Sequence, residues 1–228
     1  MEIESLDDLD LGKTVKLCVY GTAGSGKTTL IGTLPGKILL LSAESGLLPL
    51  KRLPKERKKD IDVFTLTTFE QAIEAYDRLK KEHVKYDWIA IDSISEIADA
   101  FLRHALKSEK DPRKAYGNLS QAVGGLFRDL RDLPTSIYMA AKEERIKDDA
   151  TGRVTYEPSF PGGQLARDVP HLYDELFRLG VTTDGKRVLI CHPDGQCKVK
   201  DRSGVLDQFE EPDLGIIARK ISEASTED

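Results

Sequence analysis

The chain has few cysteines and no long apolar segment. Three cysteines in 228 residues do not form the disulfide framework that holds small secreted domains together. The longest apolar runs, such as residues 38–41, are far too short to cross a bilayer. The first residues are acidic and lack the basic start and apolar stretch of a signal peptide. These absences predict a cytoplasmic protein with no membrane partner.

Positive charge is not in excess either. The net charge is -5, so the surface as a whole does not attract nucleic acid, and any DNA binding depends on local basic patches. Apolar residues make up 39% of the chain and charged residues 32%, which is the balance of a globular protein with a core. A chain of this length suits one large α/β domain.

Predicted strands and helices alternate along the chain, which indicates an α/β fold with a mostly parallel sheet flanked by helices. The strands are predicted at 15–20, 37–42, 88–92 and 137–141, and the main helices at 69–82, 93–106 and 119–133. Later turn sequences predict two hairpins, pairing 145–147 with 153–156 and 187–191 with 196–200. We therefore expect an N-terminal arm (1–14), a core with a C-terminal antiparallel extension (15–210), and a helix with an acidic tail (211–228).

The strongest motif follows the first predicted strand and fits the pattern G-x-x-x-x-G-K-[ST]. Glycines let the backbone curl so that successive N–H groups point at phosphate oxygens, while the lysine reaches the β- and γ-phosphates and the threonine offers its hydroxyl to Mg²⁺. The alternative is a glycine-rich turn that binds nothing. The predicted strand before the motif and the predicted helix after it favour a loop that binds ATP. The residues predicted to bind it are Gly21, Thr22, Ala23, Gly24, Ser25, Gly26, Lys27, Thr28 and Thr29.

Two carboxylates complete the predicted ATP and Mg²⁺ site. Asp92 ends an apolar strand, a position suited to holding Mg²⁺ together with Thr28. Asp92 and Ser93 could instead simply cap the following helix. Glu44 follows another strand, and a glutamate at that edge of a parallel sheet can activate the attacking water. An exposed loop glutamate without a function remains the alternative for Glu44.

Residues from about 15 to 205 resemble the core of RecA-like recombinases, and most of all the short phage-encoded, Sak-type single-strand annealing proteins. The segments that carry the resemblance are the phosphate loop, Leu-Leu-Leu-Ser-Ala-Glu44, Trp-Ile-Ala-Ile-Asp92-Ser, Ser-Ile-Tyr-Met-Ala-Ala-Lys142 and Lys-Val-Lys200-Asp-Arg202. The resemblance implies that Glu44 is catalytic, that Lys142 stands where the family has a glutamine that senses the γ-phosphate, and that Lys200 and Arg202 reach the neighbouring subunit's ATP. Lysine cannot both donate and accept hydrogen bonds as glutamine does.

The same resemblance implies two segments that contact single-stranded DNA, at 102–120 and 145–163. Their basic residues are Arg103, Lys107, Arg113, Arg145, Lys147 and Arg153, with Tyr156 and Phe160 available to stack on bases. A solvated helix end and an ordinary hairpin are the alternatives. A third basic run, 51–59, is either an interface or a solvated loop.

The leading functional hypothesis is therefore a DNA-stimulated ATPase that assembles as a filament or ring on single-stranded DNA and promotes annealing or recombination. A single-strand DNA-binding protein is a candidate partner. The second hypothesis is a nucleotide-switched loading factor that acts through protein partners.

A GTPase is excluded because the Asn-Lys-x-Asp segment that reads guanine is missing. A small-molecule kinase is disfavoured because no acceptor pocket or lid can be recognised. Cys191, His192 and Cys197 lack a fourth ligand at a suitable spacing for zinc.

Overall fold

Ten strands form one sheet in the computed structural model, which describes residues 14–224. In chain order, β1 to β10 are Lys16–Gly21, Ile38–Ser42, Ile61–Thr65, Trp88–Asp92, Ser136–Lys147, Val154–Ser159, Glu175–Val181, Arg187–Ile190, Lys200–Asp201 and Phe209–Glu210. Their order in the sheet is β10-β8-β7-β1-β5-β4-β2-β3, with β6 paired to β5 and β9 paired to β7. The strands from β7 to β3 in this order are mutually parallel, whereas β6, β8, β9 and β10 are antiparallel to their partners. The fold is thus the expected α/β sheet with an antiparallel extension.

The helices begin at recognisable capping residues. The helices α1 to α7 are Lys27–Ile31, Lys55–Lys59, Phe69–Glu82, Ile94–Ser108, Pro112–Arg131, Gly163–Asp168 and Leu214–Ala224. Thr68 and Gln71 form a reciprocal capping box at the start of α3, and the side chains of Ser93 and Asp111 accept hydrogen bonds from the first turns of α4 and α5. Of the predicted N-terminal arm, residues 1–13 lie outside the described part of the chain.

The core has one apolar layer on each face of the sheet, because successive strand residues point to opposite faces. On β1, Cys18 and Tyr20 pack with residues of α3, α4 and α5. Leu17 and Val19 pack on the other face with residues of α1 and α7. This arrangement fixes the ends of the parallel strands, where the predicted site residues lie.

The second predicted hairpin is wrong. Strand β8 pairs with β7 through the turn at 182–186, and β9 also pairs with β7. At the His-Pro-Asp-Gly turn, the Asp194 side chain accepts hydrogen bonds from the backbone N–H groups of Gln196 and Cys197 at 2.8 and 2.7 Å. The chain then pairs with Tyr156 of β6, through Tyr156 N to Gln196 O and Lys198 N to Tyr156 O. The first predicted hairpin is confirmed, since β5 and β6 pair from Lys142 and Ser159 to Lys147 and Val154.

Buried polar contacts anchor the base of this hairpin. Arg178 of β7 holds the Glu143 carboxylate with two hydrogen bonds of 2.8 and 3.2 Å, and its guanidinium lies over the Tyr156 ring.

Cys18, Cys191 and Cys197 are all buried thiols. Burial raises the pKa of Cys18 to about 12 and also raises those of the other two. Between residues 14 and 224, no helix has both the length and the apolar character needed to span a membrane.

Candidate nucleotide-binding site

The predicted phosphate loop connects β1 to α1. Gly24 and Gly26 have φ angles of 75° and 114°, in the left-handed region that glycine adopts without steric cost. The Lys27 ammonium donates hydrogen bonds to the carbonyl oxygens of Gly21 and Thr22, at 2.7 and 3.0 Å. Burial lowers the pKa of Lys27, against the opposing effect of Glu44 and Asp92. The Lys27 side chain is therefore held against the phosphate loop by hydrogen bonds to the backbone of that loop.

Asp92 and Thr28 lie together although they are far apart in sequence. Thr28 Oγ1 donates a hydrogen bond of 2.6 Å to Asp92 Oδ2, while Asp92 Oδ1 is buried and has no partner among the described residues. Burial raises the pKa of Asp92, and nearby Glu44 raises it further, while the Thr28 hydrogen bond lowers it. The Thr28 hydroxyl and the Asp92 carboxylate, one of whose oxygens is unpartnered, are hard oxygen donors of the kind that Mg²⁺ takes. The residues thus fit the predicted metal.

Glu44 lies beside the same aspartate because β2 and β4 are adjacent and parallel, with Ser42 opposite Asp92. The backbone N–H of Glu44 donates to the Asp92 carbonyl oxygen at 3.2 Å. Its carboxylate accepts a hydrogen bond from the Ser93 hydroxyl. Ser93 also accepts one from Glu96 N, so this serine both caps α4 and orients Glu44. The sequence pattern indicates only the capping role of Ser93, because its bond to Glu44 depends on the pairing of β2 with β4.

A cleft of about 620 Å³ opens over the phosphate loop. One side is formed by Gly24, Gly26, Lys27, Thr28 and Thr29 together with Glu44. Arg52, which belongs to the basic run 51–59, and Arg187 also line the cleft, together with residues 23, 48–49 and 53–54. Arg187 Nε lies 3.5 Å from where a Cβ at Gly26 would stand. No sequence pattern marks Arg187, because β8 comes beside the loop only through its pairing with β7.

Lys142 lies next to the phosphate loop in the sheet, opposite Gly21. Its ammonium contacts two carboxylates of α4, namely Glu96 and, at 3.1 Å, Asp99. Burial lowers the pKa of Lys142, but these hydrogen bonds outweigh burial and leave the pKa above its ordinary value. Lys142 is therefore a cation engaged with α4 in this structure.

Lys200 and Arg202 lie away from the phosphate loop of their own chain. Strand β9 pairs with the first residues of β7, at the level where β1 begins, whereas the phosphate loop follows the last residue of β1. The Lys200 ammonium donates to the Pro170 carbonyl oxygen at 3.2 Å, and Arg202 forms an ion pair of 2.6 Å with Asp174. The intervening Asp201 instead accepts hydrogen bonds from Ser203, Gly204 and Leu206. Lys200 and Arg202 thus lie at the opposite end of β1 and β7 from Lys27.

The first predicted DNA segment, 102–120, contains less loop than expected. Helix α4 continues to Ser108 and α5 starts at Pro112, so only 109–111 connect them. The Asp111 side chain accepts a hydrogen bond from Arg113 N and begins α5 earlier than predicted. Arg103 and Lys107 are exposed on α4 beside the start of α3. Arg113 is exposed on the first turn of α5.

The second predicted DNA segment contains the β5–β6 hairpin. Arg145 and Lys147 are exposed on β5, while Arg153 is tied to the Gly195 carbonyl oxygen. The two aromatic residues predicted to stack on bases are not available. Phe160 is only 6% exposed and packs against Phe127, and Tyr156 lies under the Arg178 guanidinium at 3.9 Å. Both aromatic predictions are therefore corrected: these rings serve the core and the hairpin base.

Comparison with known proteins agrees with this architecture. A family model described as an AAA domain matches residues 13–203. The chain belongs to the AAA-domain family. The matched region contains the phosphate loop, Glu44 and Asp92, so the chain carries a P-loop, ATPase-like AAA domain. A search of curated proteins finds no match.

The AAA domain implies nucleotide binding, typically with Mg²⁺. Lys27, Thr28, Glu44 and Asp92 are the predicted site residues that its sheet brings together. Lys142 adjoins them and bonds to α4, whereas Lys200 and Arg202 lie elsewhere. The AAA domain therefore presents one assembled phosphate site and a separate pair of cations.

Proposed function

We propose that this AAA-domain protein hydrolyses ATP, assembles on single-stranded DNA and promotes annealing or recombination, as the Sak-type, RecA-like proteins it resembles do. The observation that carries the proposal is the position of Lys142. This residue adjoins the phosphate loop through Gly21, bonds to Glu96 and Asp99 of α4, and begins the paired part of the β5–β6 hairpin. Both segments proposed to contact DNA are thus attached directly to the nucleotide site.

Each residue of the site has a role that its geometry supports. Lys27 supplies positive charge where the transferring phosphoryl group develops negative charge. Thr28 and Asp92 hold Mg²⁺, which neutralises charge on the phosphates when it is bound. Glu44, oriented by the Ser93 hydroxyl, accepts a proton from the attacking water. We assign Lys142 to sensing the γ-phosphate through its link to α4.

The position of Lys200 and Arg202 supports the proposal that the protein assembles. These cations lie near the start of β7, whereas their own phosphate loop lies at the end of β1. A neighbouring copy could receive them at its ATP, where they would stabilise charge as an arginine finger does. Hydrolysis would then require contact between copies, which favours a filament or ring.

The test is ATP hydrolysis measured with and without single-stranded DNA, with electron microscopy of the same samples. The proposal expects hydrolysis to be stimulated by single-stranded DNA and filaments or rings to form on it. Double-stranded DNA at the same nucleotide concentration is the control. Stimulation only by a partner protein, including a single-strand DNA-binding protein without DNA, would replace this proposal by the nucleotide-switched loading factor. Absence of DNA binding at low salt with ATP would overturn it outright.

A further inference from the structure

The two segments proposed to contact DNA meet at a tyrosine. A Cβ added at Gly162 would lie 3.1 Å from Cδ1 of Tyr116, so the ring touches the Gly162 backbone. Tyr116 belongs to the first segment and stands on the second turn of α5, while Gly162 closes the second segment just before α6. The contact therefore joins the segments at one point of the surface.

Tyr116 is an aromatic side chain presented to solvent. It is 43% exposed, and its hydroxyl hydrogen-bonds to no other residue between 14 and 224. The nearby residues Gly117 and Gly162 carry no side chain that could cover the ring. Gly162 has a φ of +81°, a conformation that disfavours any side chain there. The surroundings thus leave the ring open to a flat ligand.

Positive charge lies beside the ring. Arg113 precedes Tyr116 by three residues, a spacing that places both on the same side of α5. Lys110, just before the helix, is also exposed. A phosphate backbone passing this side of α5 would meet Arg113 while its bases reach the ring. The two aromatic residues that the sequence offered for this role are buried or covered, as described above.

We propose that Tyr116 is a base-stacking residue for single-stranded DNA, with Arg113 holding the adjacent phosphate. The inference rests on the proposed function and names the contact that it requires. Stacking on an aromatic ring tolerates any base sequence, because every base has a flat π-face. That tolerance suits a protein that must bind whatever strand is to be annealed.

The test compares ordinary and abasic oligonucleotides. Binding of a fluorescent single-stranded oligonucleotide is measured by anisotropy for the wild type, Tyr116→Leu, Tyr116→Phe and Arg113→Gln, across a salt series with ATP present. A second oligonucleotide carries 2-aminopurine, whose fluorescence is quenched by stacking. Tyr76→Leu serves as a matched control, because Tyr76 is a partly exposed tyrosine on α3 outside both DNA segments. Circular dichroism and thermal melting confirm that each variant folds.

We expect Tyr116→Leu to bind roughly 5- to 100-fold more weakly, as loss of one stacked base predicts, with an unchanged salt slope and no 2-aminopurine quenching. Tyr116→Phe should bind normally, and Arg113→Gln should reduce the salt slope by about one. Proteins that keep the aromatic ring at position 116 should bind the ordinary oligonucleotide more tightly than the abasic one, and Tyr116→Leu should not. If the wild type binds DNA but Tyr116→Leu matches it in affinity and quenching, this inference alone is overturned. If the wild type binds no DNA at low salt, the proposed function falls with it.

Discussion

Thr28 Oγ1 and Asp92 Oδ2 are 2.6 Å apart, so the first turn of α1 and the end of β4 share a hydrogen bond. This bond places two proposed Mg²⁺ ligands together, with Asp92 Oδ1 buried and unpartnered among the described residues. We expect Asp92→Asn to need a much higher Mg²⁺ concentration for half-maximal ATP hydrolysis, since an amide carries no charge. A Mg²⁺ titration of the hydrolysis rate measures this change.

The affinity of the site for Mg²⁺ should also depend on pH. Burial raises the pKa of Asp92, so the carboxylate gains a proton at a higher pH than an ordinary aspartate does, and its affinity for Mg²⁺ should fall as the pH falls through that raised value. Asp92→Asn should show a weaker pH dependence. Asp129→Asn, an exposed change on α5, is the control. Wild-type Mg²⁺ affinity that is constant throughout the acid range would contradict the assignment.

Glu44→Gln should bind ATP and hydrolyse it slowly. The amide can keep the hydrogen bond from Ser93 but cannot accept a proton from water, and loss of a general base costs about 100-fold or more in turnover. Single-turnover hydrolysis and equilibrium nucleotide binding separate the two steps. Glu56→Gln on exposed α2 controls for the change of charge. Weaker ATP binding with unchanged turnover of the bound nucleotide would give Glu44 a different role.

Lys200 and Arg202 provide a test of assembly. The double variant Lys200→Ala, Arg202→Ala should be nearly inactive in ATP hydrolysis while still binding ATP. Lys27→Ala should be inactive for the opposite reason, because it retains the proposed fingers and loses the phosphate-binding lysine. Mixing the two should restore part of the activity, since the fingers of one copy would complete the intact phosphate loop of the other.

The controls for this mixture are each variant alone and a co-sedimentation assay showing that mixed assemblies form. Normal hydrolysis by the double variant would exclude a finger role. The same conclusion would follow if demonstrably mixed assemblies were no more active than their components. Turnover per subunit should also rise with protein concentration for the wild type.

Glu175 should make stability depend on pH. Burial, followed by the neighbouring Asp201, raises its pKa from 4.5 to about 8. The folded state therefore keeps a proton that the unfolded state releases, and stability should fall as the pH rises from about 4.5 to about 8. Glu175→Gln stays neutral and should lose this part of the dependence, so its melting temperature should exceed the wild-type value increasingly towards pH 9. Glu74→Gln, an exposed change on α3, is the control, and parallel curves for wild type and Glu175→Gln would refute the effect.

Local sequence signals predicted much of the fold. The helix at 69–82 and the strand at 88–92 have the bounds that the structure gives, because Thr68 and Gln71 form a capping box and the strand is an unbroken apolar run ending at Asp92. The gathering of Lys27, Thr28, Glu44 and Asp92 also follows from the sequence, since the carboxyl ends of adjacent parallel strands meet at one edge of a sheet.

Pairings between distant segments could not be predicted in the same way. The His-Pro-Asp-Gly turn is real, but nothing local indicates that the chain after it pairs with Tyr156 and then with β7. Lys142 finds its carboxylates on α4, and Arg178 covers Tyr156, through contacts that only the folded sheet creates. The prediction that Phe160 is available to stack on bases is wrong for the same reason: its partner Phe127 is far away in sequence.

The burial of the three cysteines has a practical consequence for site-directed labelling. Since the thiolate is the reactive form, thiols with raised pKa values inside the core react slowly with maleimide dyes. A single cysteine placed at the exposed hairpin tip, for example Ala150→Cys, would then be the fast-reacting thiol of the native chain, with all three natural cysteines left in place. A fluorophore at that position would report whether the hairpin moves when ATP or DNA is added.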